Sequence, residues 1–243
     1  MSEMPFVDNL GLELMTLPVV SLLLIYMTAR AYLQRKSEDF RRVKNVLSEG
    51  AAPLLGLGLV IIVLALWGEA TWTLPGSYNI LFNDAYLLLG LTITVFSASL
   101  LFGKGVTTSG VLAAISGLIT IWYGLNGYWL GLTKEPLALL GMYGLFGLAS
   151  IAGYPVTRIL DKWVKAVSPE AEVPARQGIV QPNPAITRAT SQVPSISVGV
   201  SAGWLLRNQI VVMGIFWVLI IAAGLLSGYV AFNTIPAHLA SPP

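Results

Sequence analysis

The chain contains no cysteine and one histidine. The first absence removes disulfides, iron–sulfur clusters, thiolate metal sites and cysteine nucleophiles together, and leaves the redox compartment open. The second excludes a bis-histidine haem or a histidine-rich copper site within one subunit. Charge is scarce too, at 11% of 243 residues, against roughly a quarter in soluble domains. The formal net charge of +2 is too small to argue for a nucleic-acid partner. No P-loop, Gly-x-Ser-x-Gly elbow, His-Glu-x-x-His motif or dinucleotide fingerprint is present. Nucleotide, serine-hydrolase and zinc-protease chemistries therefore lack their required groups. No catalytic residue, metal or cofactor is expected in the chain itself, although a bound lipid or quinone would fit its character. A positive segment ahead of the first apolar run is also missing, since Glu3, Asp8 and Glu13 precede the first basic residue, Arg30. A secretory signal needs the opposite order, so the first apolar run is expected to stay in the mature protein.

What the chain has in quantity is hydrophobic sequence: 55% of residues, with a mean hydropathy of +0.74. Six runs, near 10–33, 51–67, 85–102, 106–130, 136–159 and 208–232, reach the roughly 17 to 25 helical residues that cross a hydrocarbon core. They are continuous and lack period-two alternation, which selects helices over a barrel. The fold class is therefore an all-α, polytopic bundle of six spans. Thirteen of the 14 basic residues, including Arg35, Lys104, Arg158 and Arg207, fall on one side of such a bundle, and Lys134 alone falls opposite. The positive-inside rule then places the N-terminus, the 67–86 loop, the 130–136 loop and the C-terminus outside.

Two inner segments stand out. The stretch 34–50 carries Arg35, Lys36, Arg41, Arg42 and Lys44 around Phe40, Val43 and Leu47, an amphipathic pattern suited to lipid headgroups and read as a helix continuing from the first span. The stretch 160–203 is proline-rich and polar, expected to be extended or disordered alone. Small residues repeat at helical spacing: Gly110 with Ala114, Ala113 with Gly117, and Gly224 with Gly228. These are candidates for close helix packing, within the bundle or between subunits.

No carboxylate falls near the middle of an expected span. Glu13, Asp84 and Glu135 sit at outer helix beginnings, where a negative charge caps a first turn or complements the helix dipole. Glu69 follows the C-terminal end of span two, where a negative charge opposes the dipole. Glu69, Tyr78, Asn79 and Asp84, with Asn126 from the end of span four, form a candidate outer-face binding group. The aromatic residues around them are explained equally by an interfacial belt.

The run Pro75, Gly76, Tyr78, Asn79, Phe82, Asp84, followed by the leucine-rich stretch from Tyr86 to Gly90, resembles a family of prokaryotic, largely archaeal, multi-pass membrane proteins of unknown function. The resemblance extends to about Pro155 and implies no activity. The leading expectation is a non-catalytic subunit of a larger membrane complex, in contact with lipids and other integral subunits, in the plasma membrane of a prokaryote. The alternatives are a small-solute or ion transporter or channel, and an outer-leaflet enzyme acting on lipid or quinone through Glu69 and Asp84.

Overall fold

The structure, a computed structural model, describes residues 9–36, 41–74, 76–165 and 202–240. They form seven helices: α1 (Asn9–Gln34), α2 (Arg41–Thr71), α3 (Ser77–Leu101), α4 (Thr107–Trp129), α5 (Pro136–Lys165), α6 (Ala202–Arg207) and α7 (Gln209–Ala240). Six of them, all but the short α6, are long and apolar enough to cross a membrane. The chain is an all-α membrane protein.

The long helices close a ring. Packing runs from α1 to α2, α3, α4, α5 and α7, and α7 returns to α1. The two heaviest contacts, α2 with α3 and α4 with α5, are hairpins between sequence neighbours, whereas α1 and α7 join the two ends of the described chain. Close approach rests on small residues. Gly110 and Gly117 of α4 lie against Thr157, Gly147 and Ser150 of α5, and Gly153 faces Ala113; Ala114, one residue further round, is only partly covered. Gly224 and Gly228 of α7 lie against Pro18 and Ser21 of α1.

Pro18 explains that last contact. Proline has no N–H, so inside a helix it leaves the carbonyl four residues earlier without its partner. Lipid offers no substitute for that bond. Here the Ser227 hydroxyl of α7 donates to the Leu14 carbonyl at 2.9 Å, while Gly224 and Gly228 let the two backbones approach.

Three boundaries differ from the sequence reading. The basic stretch belongs to the first turns of α2, not to a continuation of α1, because Val43, Val46 and Leu47 bury their side chains in the bundle. Lys36, Arg42 and Lys44 remain exposed, whereas Arg35 donates to the Tyr32 carbonyl at 2.5 Å and lies over the Tyr32 ring; the Arg41 side chain lies outside the described residues. α3 begins at Ser77 rather than near 85, since Asn79 and Asn83 find polar partners inside the bundle and can be helical there. α5 runs on to Lys165, and most of the proline-rich stretch, 166–201, lies outside the described residues.

The two ends of the ring differ in chemistry. At the end bearing the α3–α4 turn, inner by the charge rule, Tyr32 packs edge-on against Trp217 at 5.7 Å and lies 6.0 Å from Trp163. The two indoles donate to Thr28 and Gln209. Nearby, Asp161 of α5 caps α4 from outside its own helix, accepting from the Val106 and Thr107 N–H groups at 2.7 and 2.9 Å and from the Thr107 hydroxyl. The outer end holds a different polar group.

Candidate functional site: a buried carboxyl on the ring axis

Glu13 sits one turn inside α1 and is 3% exposed. It lies near the start of α1, as the sequence reading had it, but its side chain is buried, because the first turn of α1 is covered by α3. Asn9 donates to Glu13 Oε1 at 2.9 Å and makes a long contact of 3.5 Å to Asn83 Oδ1. Asn83 donates to Asn79 Oδ1 at 3.1 Å, and Asn79 donates to Glu69 Oε1 at 3.4 Å. Asn9, Asn79 and Asn83 are all buried, and Asn9 Oδ1 has no hydrogen-bond partner among the described residues. The side chains thus form a chain of amides from Glu69 near the outer surface to Glu13 inside. Beside Glu13, the Thr16 and Tyr86 hydroxyls are in direct contact, and Thr16 also bonds the Glu13 carbonyl.

Glu13 faces a cavity of about 60 Å³ enclosed by α1, α3, α4 and α5. Its walls are chiefly apolar, from Leu14, Leu17, Phe82, Leu89, Met142 and Phe146, with Tyr86, Thr92, Ser116, Thr120, Tyr143 and Ser150 as the polar side chains. Glu13 is the single charged residue of the lining. Two further cavities continue it. Toward the outer end a vestibule of about 470 Å³ shares Leu10, Leu14, Phe82 and Met142 with it and reaches Lys134, Glu135 and Asn233. Toward the inner end a cavity of about 80 Å³ shares Leu89, Thr92, Phe146 and Ser150 with it and reaches Ser109, Thr157 and Leu160. The three are neighbours through these shared wall residues.

The residues expected to form the outer site are hydrogen-bonded to different partners, although Glu69 and Asp84 lie close enough to interact electrostatically. Asn79 and Glu69 belong to the amide chain, with Asn79 also holding the Leu74 N–H. Tyr78 stacks on Phe82 at 6.3 Å and lines the vestibule. Asp84 sits two turns inside α3, not at its start, and accepts from the Tyr123 hydroxyl of α4 at 2.5 Å. Asn126 turns back to donate to the Trp122 carbonyl of its own helix. Trp122 and Trp129 point outward, 58% and 73% exposed, as an interfacial belt requires. Glu69 and Asp84 line none of the three cavities. Sequence reasoning missed Glu13, Asn9, Asn83, Thr16 and Tyr86 as a group. The available signal was spacing, because Asn9 with Glu13 and Asn79 with Asn83 are each four apart and share a helix face.

A family model described as a protein of unknown function, DUF981, matches residues 4–168. The chain belongs to the DUF981 family. The matched region takes in α1 to α5, and so the Glu13 cavity and the whole amide chain, while α7 lies beyond it. No curated protein and no solved structure matches the DUF981 chain.

Proposed function

We propose that the chain is a membrane transport protein that passes a small cation along the axis of its helix ring, with Glu13 as the binding group, in the plasma membrane of a prokaryote. One observation carries this reading: an ionisable side chain, 3% exposed, lining a cavity that shares walls with one cavity on either side. Ionisable groups are costly within a membrane and mark pathways when they occur there. Among the described residues no cationic side chain lines the Glu13 cavity, so a proton or a cation from outside is the natural offset to the carboxylate. The vestibule supplies an approach from the outer end, and the inner cavity leads toward the α3–α4 turn.

The reading as an accessory subunit drew on the lack of redox ligands and of a buried charge path, on small-residue faces and on the long inner loop, which lies mostly outside the described residues. Gly110, Gly117, Gly224 and Gly228 are occupied within the bundle, which moves the weight to transport. The outer-leaflet enzyme reading needs Glu69 and Asp84 in one pocket; the two are close enough to interact electrostatically, but neither lines any of the three cavities.

The test is flux in liposomes containing only the purified chain. Proton, sodium, potassium and radiolabelled ethylammonium movements are followed under an imposed membrane potential. The chain should carry at least one of these faster than protein-free liposomes, and Glu13→Gln should slow it by about tenfold or more, the equivalent of about 1.4 kcal/mol. No flux above protein-free liposomes, or equal flux in the variant, would overturn the proposal.

A further inference from the structure

The polar groups around the middle cavity are chiefly acceptors. Glu13, when ionised, presents a carboxylate, and the lining includes, among the described residues, no lysine, arginine, histidine, asparagine, glutamine or tryptophan, hence no side-chain N–H. Three of the hydroxyls have spent their protons on the protein: Thr92 donates to the Leu88 carbonyl, Thr120 to the Ser116 carbonyl and Tyr143 to the Leu81 carbonyl, while Ser116 accepts from Thr92 at 3.3 Å. A hydroxyl that has donated keeps its lone pairs. A ligand of this cavity must therefore bring donors and positive charge.

The remaining walls choose among cations. A calcium-like ion needs a shell of about six or more oxygens converging on one point, whereas the surface of this cavity is chiefly apolar and its hydroxyls are spread over α3, α4 and α5. Aromatic faces from Phe82, Tyr86, Tyr143 and Phe146 suit a cation that carries its own apolar surface. At about 10–15 Å³ for each water-sized group, a cavity of about 60 Å³ takes a small molecule only. We propose that the middle cavity is a binding site for a short protonated alkylamine, its ammonium on Glu13 and its carbon chain against Phe82, Leu89 and Phe146. The ammonium would donate to the Glu13 carboxylate and to hydroxyl lone pairs, and Thr92, Ser116 and Thr120 lie on the opposite helices to receive it.

This inference rests on the cavity that supports the transport reading, and its test measures binding instead of flux. The full chain in lipid nanodiscs is titrated with ethylammonium chloride, with sodium chloride and tetrabutylammonium chloride at matched ionic strength, and binding is followed by thermal melting and calorimetry. Ethylammonium should raise the melting temperature saturably while the other two salts do not. Glu13→Gln should abolish the effect. Ala85→Leu, which narrows the cavity and leaves the carboxyl in place, should weaken binding by about tenfold, and it keeps the test open if the Glu13 variant fails to fold. Equal shifts with sodium and ethylammonium, no shift with any salt, or an unchanged shift in both variants would overturn the inference. Ethylammonium binding without any flux supports the site and defeats the transport reading; sodium or proton flux without ethylammonium binding does the reverse.

Discussion

At the scale of single residues the molecule spends its few polar groups on specific backbone and side-chain debts left by burial. Ser227 satisfies the carbonyl that Pro18 strands, and Asp161 satisfies the two amides that open α4. Glu13 differs from both, since among the described residues its side chain is held by the neutral amide of Asn9. The Ser227 bond can be weighed directly. Replacing Ser227 by Ala leaves the Leu14 carbonyl buried without a partner, for a loss of about 1 kcal/mol, because hydrogen bonds within membranes average somewhat less than that and an orphaned acceptor costs more. Unfolding titrations in mixed micelles should report that loss. The same change at Ser99, whose hydroxyl bonds its own helix at Val95 near the inner end, should leave stability within experimental scatter. An equal loss at both positions would mean that the Pro18 carbonyl is satisfied in another way.

At the scale of helices, packing explains which features the sequence revealed. The six spans were legible because hydropathy is local, and any run of this length without charge has one stable form in lipid. The helix ends were not, because they depend on what lies opposite. Asp84 looked like a helix-start residue only while Asn79 and Asn83 counted as loop; once those amides pair inside the bundle, α3 starts at Ser77 and Asp84 becomes an interhelical partner of Tyr123. Glu13 was hidden for the same reason, since its burial comes from α3, α4 and α5 and not from its neighbours in sequence. Small residues show a similar division. A Cβ added at Gly117 would stand 2.5 Å from the Gly147 carbonyl oxygen, whereas at Gly144 it would meet nothing within 4 Å. Gly117→Ala should therefore destabilise the chain by about 1–3 kcal/mol through forced separation of α4 and α5. Gly144→Ala should be neutral or stabilise by up to about 1 kcal/mol through helix propensity. Both are read from thermal melting in the same detergent, and a cost at Gly144 matching that at Gly117 would refute the assigned faces.

At the scale of the whole molecule, orientation follows from charge and can be checked with the chain's lack of cysteine as an advantage. Lys104→Cys, in the exposed α3–α4 turn, and Lys134→Cys, in the exposed α4–α5 turn, each create one thiol. In intact cells a membrane-impermeant maleimide should label the Lys134 variant and spare the Lys104 variant until the membrane is opened. The reverse pattern would invert the bundle and exchange the vestibule for an inner-facing one. The ring itself was not legible in sequence. Six spans admit many arrangements, and the pairing of α1 with α7 is set by Pro18, Ser21, Gly224 and Ser227 across the full length of the described chain.

That pairing has a consequence for biogenesis. Leu14 and Ser227 are separated by 213 residues, and a ribosome adding about 5–20 residues each second needs on the order of 10 to 40 s to make the distance. During that interval α1 has entered the bilayer with its proline-stranded carbonyl unanswered, and the Glu13 side of the ring stands open to lipid. Nascent chains arrested before α7 should accordingly be the form most dependent on the insertion machinery and most exposed to membrane proteases.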